Sequence, residues 1–233
     1  MKKTVLIKFS GEAMSGKNGH GLDFDYIKEI CLRIKEIHDM GVNVGIVCGG
    51  GNFLRGRDTK EMDRETADYA GMLATIMNAL ALKDTFLKLG VEVYNQSGLS
   101  VAVMDDVNSS LAIAAMNEGK IVVFGGGTGK PFFSTDTGAA LRAKDIQAEL
   151  IIKLTNVDGV YDKDPNKYDN AKKYETITFD EVIEQELGVM DLTAMEICRD
   201  NNIEIIVTDI DNKECMKKAV MGEKIGTNVI KGE

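Results

Sequence analysis

The sequence has no tryptophan, two prolines, two histidines and four cysteines in 233 residues, and each scarcity excludes something. His20 and His38 are the sole imidazoles, and Cys31, Cys48, Cys198 and Cys215 are scattered with no Cys-x-x-Cys spacing. Neither a zinc site nor a histidine-based catalytic triad is expected from such a set. Cys31 and Cys48 lie in apolar runs and are expected to behave as small core residues in a reducing cytoplasm. No stretch approaches the ~20 apolar residues of a membrane helix. The start, Met1-Lys2-Lys3-Thr4-Val5-Leu6-Ile7-Lys8, carries two lysines but only Val5-Leu6-Ile7 as its apolar part. That run is below the ~7–15 residues of a signal-peptide core, so it reads as a first β-strand of a cytoplasmic protein with no membrane partner. Basic residues are also in deficit: 28 Lys+Arg against 37 Asp+Glu leaves a net charge of −9. A surface of that sign repels nucleic acid.

What is present is apolar residue and glycine. Hydrophobic residues make up 44% of the chain, enough for a full core, and the length suits one large domain or two small ones. The 24 glycines set against two prolines point to tight backbone approaches, not to an extended or flexible chain.

Short β-branched apolar runs alternate with longer stretches of helical period. Strands are expected at 4–8, 42–47, 91–94, 121–124, 150–154 and 204–207, with a short apolar end at 227–230. Helices are expected from Asp25, where Ile27, Ile30, Ile34 and Ile37 share a face until Gly41, and over about 64–89, 108–117, 136–147 and 213–220. Two short helices are expected near Phe179 and Met190. This alternation implies an α/β fold, with a parallel sheet covered on both faces and every strand-to-helix loop at one edge. The charged stretch 162–167 is read as a long surface loop within one domain, because the alternation resumes beyond it.

Three of those loops are glycine-rich: Ser10-Gly11, Gly49-Gly50-Gly51 and Gly125-Gly126-Gly127. Neither standard phosphate motif fits them. Gly11 to Lys17 resembles a P-loop, but Asn18 stands where the Ser or Thr for magnesium belongs. Leu54 stands where a dinucleotide fingerprint requires its third glycine, which argues against a dinucleotide-dependent dehydrogenase. The loops can nevertheless bring several N–H groups close to a phosphate, and the alternative is that they only make tight turns. Lys8 directly before Ser10-Gly11, Arg55 beyond Gly51, and Lys153 in an apolar strand are candidate cations. A single strand lysine is more often at an edge or snorkelling. Asp68 and Asp136 are candidate carboxylates, and Asp136 reads equally well as a first-turn residue complementing a helix dipole.

Several strings, in order over nearly the whole chain, resemble the bacterial uridylate kinase branch of the amino acid kinase superfamily. They include Lys8-Phe9-Ser10-Gly11-Glu12-Ala13, Gly49-Gly50-Gly51-Asn52-Phe53-Leu54-Arg55-Gly56 and Thr66-Ala67-Asp68-Tyr69. Further strings are 71–82, Gly127-Thr128-Gly129-Lys130-Pro131-Phe132-Phe133-Ser134-Thr135-Asp136, 153–161, Asp191-Leu192-Thr193-Ala194 and Cys198-Arg199-Asp200-Asn201. The resemblance implies a three-layer αβα sandwich around a mainly parallel sheet, the carbamate kinase-like fold, in a single domain over 1–233. It implies transfer of a phosphoryl group from ATP to UMP with Mg²⁺, in a homohexamer. About 1–150 would form the UMP- and phosphate-binding half and 151–233 the mainly ATP-binding half.

By the same resemblance Lys8, Arg55, Asp136 and Asp191 serve catalysis. Lys8, Phe9, Ser10, Gly11, Gly51, Arg55, Thr155, Asn156, Tyr161 and Asp164 bind ATP. Gly50, Asp68, Thr128, Gly129, Lys130, Pro131, Phe132, Phe133, Ser134 and Thr135 bind UMP. The metal ligands are not assigned. Two departures stand out. Lys130 occupies a position where the family usually has Asn, and 97–115 lacks the Arg-rich segment that in the family contributes to subunit contacts and the GTP response. The alternatives are a related kinase acting on a carboxylate, carbamate or other acceptor, and a binding or storage protein resembling the molybdate-storing relatives. Asp68 and the 128–136 string favour UMP, and Lys8, Arg55, Asp136 and Asp191 together favour turnover.

Overall fold

The structure is a computed structural model of the chain, and it describes residues 3–54 and 61–232. The expected alternation is present. β1 (Thr4–Phe9) leads through 3₁₀ turns over Gly11–Asn18 to α1 (Phe24–Asp39) and β2 (Asn43–Cys48). After it come α2 (Arg64–Lys88), β3 (Val93–Ser97), β4 (Asp105–Asp106), α3 (Ser109–Asn117) and β5 (Ile121–Gly125). Then follow α4 (Thr135–Asp145), β6 (Leu150–Thr155), β7 (Thr176–Thr178), α5 (Phe179–Glu184) and α6 (Leu192–Asp200). β8 (Glu204–Asp209), α7 (Cys215–Met221) and β9 (Thr227–Ile230) complete the described chain.

The strands form one sheet in the order β4-β3-β5-β2-β1-β6-β8-β9-β7. Its pairings are parallel except β8–β9, where Ile205 faces Val229 in antiparallel register. Period-two alternation in the strands builds two cores. Val5, Ile7 and Phe9 point to a layer containing Ile27, Ile30, Ile34, Ile37 and Phe86, so α1 and α2 cover that face. Leu6 and Ile151 point the other way, towards Ala139, Ala140, Ala143, Met195 and Cys198 of α4 and α6. Cys31 and Cys48 are reduced and buried, as expected for core residues, and so are Cys198 and Cys215. Burial pushes the Cys31 thiol up to about 12, and burial, assisted by Asp136 and Asp191, does the same for Cys198. Both are therefore inert as nucleophiles.

The differences from the sequence reading are local. The segment after β1 is 3₁₀, interrupted at Gly16 with φ of 49°, and α1 begins only at Phe24, not directly after the Gly11–Lys17 string as a P-loop would require. The two-residue β4 and three-residue β7 are additional to the expected strands, since runs so short carry no period. The 162–167 stretch is a surface connection, tied down by a bridge between Tyr161 and Lys173. No helix among the described residues is long and apolar enough to cross a membrane.

Candidate active site

Adjacency of β1 and β6 creates the central feature. The two strands pair in parallel with Lys8 directly opposite Lys153. Lys8 lies on the Leu6 face and Lys153 on the Ile151 face, so both ammonium groups emerge beneath α4 at the loop edge of the sheet. Like charges directly opposite in neighbouring strands repel. Asp136, in the first turn of α4, resolves this by bridging them. Its Oδ1 lies 2.5 Å from Lys8 Nζ and its Oδ2 3.1 Å from Lys153 Nζ. Lys153 also donates to the Val189 carbonyl.

All three groups are largely buried, with side-chain exposures of 11% for Lys8, 13% for Lys153 and 19% for Asp136. Burial alone would raise the Asp136 pKa, but Lys8 and Lys153 outweigh it and hold the carboxyl below its ordinary range. Burial, and then repulsion from Lys8, bring Lys153 below the usual lysine value, against the pull of Asp136.

Helix ends place the carboxylate. Ser134 caps α4 by accepting from the N–H groups of Asp136 and Thr137 at 3.0 and 3.1 Å, and a negative charge in that first turn complements the helix dipole. Ser134 Oγ in turn donates to Asp191. Asp191 caps α6 through Ala194 N at 3.0 Å and accepts from Thr137 Oγ1 at 2.9 Å. Asp191 thus stitches two helix N-termini together behind the lysine pair.

Two cavities meet at this cluster. A cleft of about 420 Å³ is lined by Lys8, Gly50, Gly51, Asp68, Thr128, Lys130, Phe133, Ser134, Thr135 and Asp136. A second, of about 490 Å³, is lined by Lys153, Thr155, Tyr161 and Asp164 together with 185–189. Asp136 belongs to the first and bonds a lysine of the second, so one carboxylate joins them. At the far wall of the first cleft Asp68 accepts from Arg64 Nε at 3.0 Å and from Phe132 N at 2.8 Å. Phe132 adopts φ of 69°, a left-handed conformation unusual for a bulky residue and held here by that hydrogen bond.

The remaining candidates distribute unevenly. Phe9 is fully buried in the core, so only its main chain is available to a ligand. Asn156 is exposed and lines neither cavity. Arg55 lies outside the described residues. Ser10, Gly11, Gly129 and Pro131 sit beside the first cleft in the same loops without lining it.

The tight backbone approaches expected of the glycines are present in the loops. A Cβ on Gly11 would lie 2.5 Å from Gly51 N and 2.6 Å from Gly49 O, so the loops after β1 and β2 touch main chain to main chain. Gly129, at φ of 76°, would place a Cβ 2.1 Å from Gly98 O. These positions are glycine because backbone meets backbone there.

Lys153 is a weak candidate from the sequence alone. An isolated charge in Leu150-Ile151-Ile152-Lys153-Leu154-Thr155 is the signal that could have found it, since a strand buried on both faces has no other place for an ammonium. Among the described residues no group of three or more His, Cys, Asp or Glu could cage a metal ion. Asp136 is ion-paired with both lysines, and Asp191 accepts from Thr137 Oγ1 and Ala194 N.

Residues 3–209 match the model of the amino acid kinase family. Among solved structures, the chain is similar to UMP kinase from Ureaplasma parvum, at 36% identity and a TM-score of 0.93, covering 99% of this chain and 100% of that one. It is also similar to UMP kinase from Bacillus anthracis, at 34% identity and a TM-score of 0.95, covering 99% and 97%. Uridylate kinase from Archaeoglobus fulgidus resembles it at 29% identity and a TM-score of 0.76, covering 98% and 100%.

Proposed function

This chain belongs to the amino acid kinase family, and from that premise we propose that it transfers the γ-phosphoryl group of Mg·ATP to UMP, giving ADP and UDP, a step of pyrimidine nucleotide synthesis in the cytoplasm. The observation that carries this reading is the pair of cavities joined at Lys8, Asp136 and Lys153. One cavity takes each nucleotide, and the lysines stand where the phosphates meet. Residues 1–150 then hold UMP and the phosphates, and 151–233 hold mainly the adenosine end.

The chemistry needs no strong base. Bringing two anions into line requires charge neutralisation and alignment more than proton abstraction, because little covalent chemistry is left to the protein in a loose transition state. Lys8 supplies a fixed cation at the phosphates, and the N–H groups of the Gly11 and Gly49–Gly51 loops supply dipoles. Asp136 keeps two buried ammonium groups side by side and charged. Asp191 holds the start of α4, and through it Asp136, in place. Arg55 adds a cation beyond Gly51. The nucleotide phosphates would hold Mg²⁺, which would supply further neutralisation of charge there, while Asp136 stays ion-paired with the two lysines.

On the acceptor side Gly50, Asp68, Thr128, Gly129, Lys130, Pro131, Phe132, Phe133, Ser134 and Thr135 enclose UMP. Their hydroxyls and main chain read the uracil edge, where a mismatched base leaves buried polar groups unpaired. On the donor side the main chain of Phe9 and Ser10, with Thr155, Tyr161 and Asp164, completes the ATP site.

A coupled ADP-release assay across UMP, CMP, AMP and small carboxylates tests the assignment. UMP should be preferred over CMP by at least about tenfold in kcat/KM. ATP and UMP that bind without UMP-dependent ADP release would instead make this a nucleotide-binding protein.

The kinase assembles as a homo-oligomer, we further propose a hexamer. Tyr69, Leu73 and Met77, spaced four residues apart on α2, are 38%, 51% and 45% exposed and form an apolar stripe of the kind that a second copy covers. Light scattering of the purified protein should give six times the chain mass of 25.4 kDa. A monomer at micromolar concentration would exclude this assembly.

A further inference from the structure

α2 passes behind both glycine loops, and two of its buried polar side chains, one turn apart, hold one loop each. Asn78 is fully buried, and its Nδ2 donates to the Gly49 carbonyl at 2.7 Å and to Asn52 Oδ1 at 2.8 Å. Asn52 reciprocates from its own Nδ2 to Asn78 Oδ1 at 2.8 Å and donates to the Gly21 carbonyl at 2.8 Å. Every amide hydrogen of the pair is therefore used, in an interior where an unmatched one would be costly. Thr75, 6% exposed, accepts from Gly126 N at 2.8 Å and donates to the Met72 carbonyl at 2.6 Å.

Residues 75 and 78 are three apart and so share one face of the helix. Gly49 follows β2 and Gly126 follows β5, two strands that lie side by side. The helix backbone also abuts the first loop, since a Cβ on Gly50 would lie 2.5 Å from the Gly71 carbonyl. Around these groups α2 is apolar, with Ala74, Ile76, Ala79 and Leu82 all buried. Packing alone would be served by apolar residues at 75 and 78, and what the polar ones add is directional: each fixes one loop to the same rigid rod.

We propose that Thr75 and Asn78 are positioning residues that set the separation of the Gly49–Gly51 and Gly125–Gly129 loops and so keep donor and acceptor phosphates in line. The proposal rests on the kinase reading above. An alignment error of about 1 Å costs about 10²-fold in rate while leaving each substrate free to bind.

Thr75→Val keeps the side-chain shape and removes the oxygen that Gly126 N needs, whereas Thr75→Ser keeps that oxygen. Asn78→Asp keeps the shape and removes the donor to Gly49. Steady-state kinetics would be paired with equilibrium binding of ATP and of UMP measured separately. Thr75→Val and Asn78→Asp should lower kcat by about 30- to 100-fold, with each Kd within about threefold of the parent. Thr75→Ser should recover most of the turnover.

The parent is assayed first, and a parent without UMP-dependent ADP release overturns the kinase reading itself. With an active parent, a kcat for Thr75→Val within about threefold of the parent overturns the positioning role alone. So does a loss of kcat that Thr75→Ser shares in full, or one matched by equal loss of nucleotide binding. Should Asn78→Asp fail to fold, the Thr75 pair decides the question.

Discussion

Lys8→Ala should reduce kcat by about two to three orders of magnitude and leave the fold standing, the size of effect seen when one fixed donor to developing charge is removed. The ammonium is held rigidly at the meeting point of the two cavities, so water cannot replace it without reorganisation. Stability should change little because the partner carboxylate is not orphaned: Asp136 keeps Lys153 at 3.1 Å. Removing Lys8 also removes its repulsion of Lys153, which lies directly opposite in register. Turnover by the coupled assay and thermal unfolding of the same sample separate the two quantities. A variant with near-parental kcat would reduce Lys8 to the end of a strand.

Asp136→Ala should damage both activity and stability, for the complementary reason. Without the carboxylate, two largely buried ammonium groups face each other across adjacent strands, and breaking a buried ion pair by removing one partner typically costs about 3–5 kcal/mol. Part of that cost can be relieved if Lys153, already below its usual value, gives up its proton, and the site then loses a cation as well.

The depressed Asp136 pKa adds a pH signature. A carboxyl that ionises more readily folded than unfolded contributes stability that is complete above its unfolded value and is lost as pH falls through the lower folded one. The stability gap between the parent and Asp136→Asn should therefore be constant near neutrality and shrink in acid, below about 3.9, the unperturbed aspartate value. Denaturant titrations from neutral to acid pH measure it. A gap that stays level throughout would mean that the charge of Asp136 contributes nothing to folding.

Much of the site was legible in the chain as written because it is made of local chemistry. Lys8 beside Ser10-Gly11, the triplet at Gly49, and Ser134-Thr135-Asp136 opening a helix are each readable within ten residues, and all line or adjoin one cleft. The four isoleucines of α1 announced their common face by spacing alone, and all are buried. Lys153 was not legible to the same degree, since a lysine in a strand has meaning only once its neighbour is known. That neighbour is β1, and no local pattern states that β6 pairs there. Asn78 sits inside a helical string that assigns it no role, because its partners, Gly49 and Asn52, come from another part of the chain.

The sequence by itself determined the longer elements, their order, the parallel layering and the edge at which the glycine loops gather, since periodicity and right-handed crossovers act over short range. Only the tertiary structure decided which charges meet. Strand order set Lys8 against Lys153, the first turn of α4 delivered Asp136 between them, and α2 tied two loops to one rod. Paucity of histidine and cysteine had excluded one kind of chemistry. The kind that is present depends on charge separations of a few ångströms, and those arise from contacts between segments distant in the chain.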